Sequence, residues 1–175
     1  MRRFLLIALI VAAAIAYRLS LRPPASSLAI GQPPPAFALP DSQGVAHSLQ
    51  EFSGGPVLIN FWASWCHTCV EEIPSLNRLA DHYAGGAFRI VSISEDGPTP
   101  KAWDDIANFQ QRLPLHYQIL LDADGAVANR YGTYMLPESY LLDRHGRLVR
   151  KIVGAIVWDH PNVLAEIDQL IEAKP

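Results

Sequence analysis

Val57-Leu-Ile-Asn-Phe-Trp-Ala-Ser-Trp-Cys-His-Thr-Cys-Val70 decides how this chain is read. The first six residues, Val57 to Trp62, form an apolar run rich in β-branched and aromatic side chains. The run is too short for a helix and suits a buried strand. Ala63-Ser64-Trp65 makes a tight turn. Cys66 and Cys69 follow, the only two cysteines in the chain, and a helical pattern begins at the same point. Strand, turn, Cys-x-x-Cys and helix in that order is the layout of a redox dithiol. The first cysteine falls at a helix N-terminus, where unpaired N–H groups and the macrodipole favour an anion. A thiolate is such an anion, so Cys66 is predicted to have a lowered pKa and to be the nucleophile.

Other uses of two cysteines fit less well. A structural bridge that closes so short a loop removes little entropy from the unfolded chain. A zinc site needs about four ligands, and His67 between the two cysteines cannot easily join both in one tetrahedron. Covalent haem attachment needs histidine directly after the second cysteine, and that position is Val70.

Outward from this stretch, the helix after Cys66 is expected to reach about Tyr83, where Gly85-Gly86 stops it. Pro74 lies inside and removes one i→i−4 bond, which favours a kink. Ile73, Leu76, Leu79, Ala80 and Tyr83 give the helix a core-facing stripe. Phe88 to Ile93 reads as the next strand, so a parallel β-α-β unit with a right-handed crossover is predicted. Thr99-Pro100 reads as N-cap and first turn of a helix to about Arg112. Tyr117 to Leu121 is a strand, and Ala126 to Tyr131 a short helix capped by Gly132. Ser139 to Leu142 and Leu148 to Val153 flank the hairpin turn Asp143-Arg-His-Gly146. Val163, Leu164, Ile167, Leu170 and Ile171 mark a final amphipathic helix with Pro161 near its start. Before the decisive strand, Ala36 to Leu39 and Val45 to Ser48 form a hairpin about Asp41-Ser-Gln-Gly44, and Leu49 to Phe52 a single turn. The sum is an α/β domain over residues 36–175, a sheet with helices on both faces.

Residues 1–22 read differently. Phe4 to Tyr17 is an unbroken apolar run behind Arg2 and Arg3, the pattern of an export signal. It is an uncleaved membrane anchor, with Leu19 and Leu21 extending it and Arg18 and Arg22 snorkelling, or a signal peptide cut after Ala14-Ile15-Ala16. Residues 23–35 hold five prolines and read as a semi-rigid linker. In either case the domain faces an oxidising compartment, where a dithiol can cycle. Of fourteen basic residues four lie in the first 22 positions, which hold no acid, leaving ten against seventeen acidic residues beyond them. An acidic domain without a basic stripe argues against nucleic acid as a partner.

Phe61-Trp-Ala-Ser-Trp-Cys-x-x-Cys69 with the strand before it resembles the thioredoxin superfamily. The export segment, the N-terminal hairpin, Asn60, Glu72 and the α-β insertion at about 100–121 resemble its TlpA-like branch. These are membrane-tethered or periplasmic thiol–disulfide reductases, some of which serve cytochrome c maturation. The match covers roughly residues 31–173 and implies a thioredoxin-like fold with a central mixed sheet.

The resemblance also implies roles. Pro137 in Met135-Leu136-Pro137-Glu138-Ser139 matches the position of a cis-proline opposite the dithiol, although only about 5% of X–Pro bonds are cis in general. The backbone of Leu136 would then pair with an extended substrate segment beside Cys66, and Trp65 would cover the disulfide. Thioredoxins place a buried Asp where this chain has Asn60, which cannot ionise. The TlpA-like branch uses a helix glutamate, here Glu72, to relay protons to and from Cys69. The plainer alternative for Glu72 is a solvated residue like Glu71. Between the cysteines, His67-Thr68 departs from the proline often found there. A protonated His67 would favour the Cys66 thiolate and make the disulfide more oxidising, whereas a solvent-facing one would do little.

The expected reaction is disulfide exchange with a protein substrate, such as an apocytochrome c, followed by re-reduction from a membrane thiol donor. The chemistry requires no metal or organic cofactor. The rivals are a dithiol oxidase, which shares every motif, a redoxin-type peroxidase, whose cysteine context is missing at Trp65-Cys66, and a peptide-binding module.

Overall fold

The computed structural model describes residues 28–173 with the exception of Thr99. Along the chain, β1 (Ala38–Pro40) and β2 (Ala46–Ser48) form a hairpin, and a 3-10 turn (Leu49–Phe52) leads to β3 (Val57–Trp62). Next come α1 (His67–His82), β4 (Arg89–Ser94), α2 (Ala102–Arg112) and β5 (Gln118–Leu121). The chain finishes with α3 (Ala126–Tyr131), β6 (Glu138–Leu142), β7 (Leu148–Val153) and α4 (Pro161–Glu172). The five later strands make one sheet in the order β5-β4-β3-β6-β7. Strands β3, β4 and β5 are parallel, while β6 runs antiparallel to β3 and β7 antiparallel to β6. This is the mixed-sheet, thioredoxin-like architecture that the family resemblance implies, with the hairpin before it and α2-β5 as the insertion.

Strand β3 is central and all six of its residues are buried, as expected of a strand covered on both faces. Its alternation sorts the core. Ile59 and Phe61 pack with Val91, Ile93, Tyr131, Tyr140, Leu142 and the hairpin's Phe37 and Leu39. On the other face Leu58 meets Leu76 and Leu79 of α1 and Val163 and Ile167 of α4. Trp62 packs with Cys69, Ile73, Ile106 and Phe109. Helix α1 continues through Pro74, which is exposed.

Two details depart from the sequence reading. Helix α2 starts at Ala102, with Lys101 in the N-cap place and no side-chain cap. Thr99, expected to cap it, lies outside the described residues. The apolar face Ala102, Ile106 and Phe109 sets the start instead, because packing outweighs a local signal. The end of the segment read as linker lies on the domain. The Gly31 N–H donates to the Leu148 carbonyl, the Leu148 N–H to that of Gln32, and Pro34 is buried. The anchor or signal over 1–22 lies outside the described residues. Among the described residues no helix is long and apolar enough to cross a membrane.

This topology positions a site. The parallel strands β3, β4 and β5 end on the same side of the sheet, where α/β folds gather functional groups. Directly after them come Ala63 to Cys66, Glu95-Asp96 and Asp122 respectively.

Candidate active site

Cys66 occupies the N-cap of α1 in extended conformation, and its Sγ accepts from the Cys69 N–H at 3.2 Å. The two cysteines are bonded to each other as a disulfide. Cys69 is fully buried, and Cys66 keeps a small exposed surface. Only Cys66 lines the open groove of about 500 Å³ that runs past the disulfide. The groove sulfur is therefore the one an incoming disulfide can reach, and the helix N-terminus beneath it favours a thiolate there.

The rim of the groove is apolar. Trp65 and Tyr134 are 70% and 73% exposed and Met135 about half, an unusual density of bare side chains for a soluble surface. Trp62 belongs to the core. The Leu136–Pro137 bond is cis. Thr68 links the two halves of the groove: its hydroxyl donates to the Leu136 carbonyl at 3.2 Å and lies 3.5 Å from Cys66 Sγ. His67 is on the solvent side, with a side chain 91% exposed and 3.9 Å from Glu71.

Glu72 is buried, one helical turn beyond Cys69 on the same face. Its Oε1 accepts from Asn60 Nδ2 at 2.8 Å, and its Oε2 from Trp158 Nε1 at 2.9 Å. Asn60 Nδ2 also donates to Ser139 Oγ at 2.9 Å. Burial pushes the Glu72 carboxyl above the usual carboxylate range, and the Trp158 and Asn60 bonds act against that rise. A buried carboxyl with its proton affinity raised in this way is of the kind that can take up and release a proton.

Three further features have no signature in the sequence. Asp96 is buried and holds the turn before Cys66: it accepts from the Ser64 N–H at 2.9 Å, from the Ser64 hydroxyl, and from Ser94 Oγ at 2.6 Å. Glu95 lines the groove with an Oε1 that has no hydrogen-bond partner. Burial, and the charges of Asp122 and Glu138, push its pKa up to about 7. Glu138, next to Pro137, is fully buried and paired with Lys151 Nζ at 2.7 Å. Lys151 in turn sits over the ring of Tyr134 on the groove wall, 5.4 Å from its centroid. These residues come together through tertiary contact, and no local spacing marks them. Among the described residues no group of three or more His, Cys, Asp or Glu side chains is placed to hold a metal ion.

Comparison with known proteins fits this geometry. The model of the AhpC/TSA family matches residues 30–151. The chain is 30% identical over 131 residues to thiol-disulfide oxidoreductase ResA of Geobacillus thermodenitrificans, covering 75% of this chain and 73% of that protein. It is 37% identical over 140 residues to thiol:disulfide interchange protein DsbE of Pseudomonas aeruginosa, covering 75% and 72%. A solved Chlorobium tepidum structure described as thiol:disulfide interchange protein DsbE superposes with a TM-score of 0.74 at 30% identity, over 83% of this chain and 99% of that one. With a Cys66–Cys69 disulfide at the mouth of the groove, and over two thirds of its length matched to such relatives, the chain belongs to the AhpC/TSA family as a thioredoxin-fold thiol–disulfide oxidoreductase.

Proposed function

We propose that the protein is a disulfide reductase tethered outside the cytoplasmic membrane by residues 1–22, and that apocytochrome c is among its substrates. The observation that carries the reading is the asymmetry of the dithiol, with Cys66 facing a groove and Cys69 fully buried behind it. The substrate is supported by the resemblance to the TlpA-like branch. The location is supported by the apolar run behind Arg2 and Arg3.

In the reduced protein the Cys66 thiolate attacks one sulfur of the substrate disulfide. A Cys66–substrate bond forms, the substrate S–S bond breaks, and the departing thiolate takes a proton. Cys69 then gives its proton to the Glu72 carboxylate and attacks Cys66 Sγ. The mixed disulfide breaks, the second substrate thiolate leaves and is protonated, and the Cys66–Cys69 disulfide is restored. Two electrons have passed to the substrate, and a membrane thiol donor returns them. The substrate segment lies extended in the groove, with Trp65 on one side and the Leu136–Pro137 backbone on the other. Thr68 holds the Leu136 carbonyl in place, and Asn60 holds Glu72.

Two measurements test this. A Cys69→Ser chain cannot resolve the mixed disulfide, so it is expected to accumulate reductant-sensitive adducts with substrate proteins, all lost in Cys66→Ser. A glutathione redox titration is expected to place the couple near the thioredoxin value of about −270 mV. A potential near about −120 mV would reassign the protein to the dithiol oxidases.

A further inference from the structure

Both oxygens of the Glu72 carboxylate are occupied, by donors of different kinds. Trp158 offers an indole N–H, which can donate and never accept. Asn60 offers an amide, which carries a donor and an acceptor and exchanges them by a half-turn. Ser139 Oγ is the second acceptor of the same Asn60 Nδ2, and its hydroxyl can donate instead once the amide has turned its oxygen that way. A proton arriving at Glu72 therefore goes to Oε1, where Asn60 can turn its oxygen to receive the new O–H. Oε2 stays a carbonyl oxygen facing the indole.

We propose that Trp158 is a positioning residue for proton transfer at Cys69: it holds Glu72 beneath the buried sulfur and leaves Oε1 as the one oxygen that takes up and releases the proton. The β7–α4 loop that carries Trp158 is strapped to α1 for this purpose. Ser75 Oγ accepts from the Trp158 N–H at 3.0 Å and donates to the Glu72 carbonyl at 2.8 Å. One turn further on, Arg78 forks onto Asp159. Glu72, Ser75 and Arg78 recur every third residue, so a single helix face receives the loop at three successive points. The indole itself is buried among Leu58, Leu76, Leu79 and Leu141.

The other titratable groups facing Glu72 are Cys69 on its own helix and Tyr117 just before β5. The Tyr117 hydroxyl has no hydrogen-bond partner and is pushed up by burial and by the Glu72 charge. Strands β3 and β6 and the β7–α4 loop present neutral groups: Asn60, Ser139, Trp158 and the Ile156 backbone. Burial already raises Glu72, and the indole bond opposes it. Loss of the indole donor therefore moves Glu72 further up.

The inference rests on Glu72 as the proton carrier, and two readouts separate the two ideas. In the full-length chain labelled with 15N-tryptophan, the Trp158 indole resonance, assigned through its contacts to Leu76 and Leu79, is followed from pH 4 to 9. It is expected to titrate in the wild type and to stay flat in Glu72→Gln. A flat resonance in the wild type overturns the proposal without any tryptophan variant having to fold. In exchange with oxidised glutathione, Trp158→Phe is expected to move the Glu72-dependent inflection up by about one pH unit and to add nothing to Glu72→Gln. A lower Tm with an unmoved inflection makes Trp158 a packing residue and overturns the proposal. An exchange profile unchanged by Glu72→Gln removes the relay itself, whatever the indole does.

Discussion

Glu95 carries the sharpest consequence at the scale of single residues. Its pKa stands at about 7, against 4.5 for an unperturbed glutamate, because it is partly buried beside the charges of Asp122 and Glu138. Between those two values the native chain holds a proton that the unfolded chain has released. Stability therefore falls as pH rises through that window, and the penalty is complete above about pH 7. Glu95→Gln is expected to raise the unfolding free energy at pH 8 by roughly 1–2 kcal/mol, a value discounted for the residue's exposure to water. At pH 4, where the native glutamate is neutral, it should change nothing. Denaturant melts at the two pH values check this, and an equal effect at both would mean that Glu95 does not ionise against its neighbours. The residues legible in the sequence were those whose chemistry is local. Cys66, Cys69 and Glu72 follow each other at helical spacing, so their order alone placed them on one face. Trp158 and Asp96 reach the site across 86 and 32 positions of chain. Each looks ordinary in its own surroundings, an aromatic before a helix and an acid after a strand.

At the scale of elements, the chain builds the same turn twice. Asp41 Oδ1 accepts from the N–H groups of Gln43 and Val45, and Asp143 Oδ1 from those of His145 and Arg147. Gly44 and Gly146 close the two turns with positive φ, 78° and 70°. The first hairpin carries an extra clasp. His47 in β2 lies 3.1 Å from Asp41 Oδ2 and 2.9 Å from Glu51 Oε2, joining hairpin to 3-10 turn. Its bonds to Asp41 and then Glu51 raise the imidazole above its usual value. A raised histidine stabilises the native form fully below its unfolded pKa of about 6.5, and that contribution is lost as pH rises through the higher native value. Backbone amides of β1 and β2, corrected for intrinsic exchange, should therefore be better protected at pH 6 than at pH 8.5, and His47→Gln should abolish the difference. Protection that does not vary with pH in the wild type would show that the clasp is not ionic. Most elements could be read in advance because pattern and packing agree, as in β3, α3 and β7. The start of α2 could not, because Pro98, Thr99 and Pro100 give strong local signals while the buried face begins only at Ala102.

For the whole molecule, the question is which way electrons run, and the fold constrains the answer through a cycle. Native and unfolded chains each exist oxidised and reduced. The difference in unfolding free energy between the two redox forms therefore equals the difference in potential between native and unfolded dithiol, about 1.4 kcal/mol for every 30 mV. So short a bridge alters the unfolded chain little by itself, so the sign is set by what surrounds the sulfurs. The α1 N-terminus favours a thiolate and hence the reduced form. Against it stand the buried Glu72 behind Cys69, the Glu95 carboxyl in the groove, and the Thr68 hydroxyl drawn toward the Leu136 carbonyl as well as toward Cys66 Sγ. Negative charge held close to a sulfur in a poorly solvated site disfavours its ionised form. At pH 7 an unperturbed thiol is already almost wholly protonated, so this opposition can cancel the helix terminus but cannot by itself favour the disulfide, and the oxidised and reduced chains are expected to lie within about 1 kcal/mol of each other. Glu72→Gln, which removes a buried carboxyl one turn beyond Cys69, should tip the balance toward the reduced chain. Urea midpoints of the oxidised and dithiothreitol-reduced chain decide the matter. If the reduced chain outlasts the oxidised one by well over about 1 kcal/mol, the native disulfide is the unstable partner, electrons flow into this protein from its substrates, and the same groove serves a dithiol oxidase.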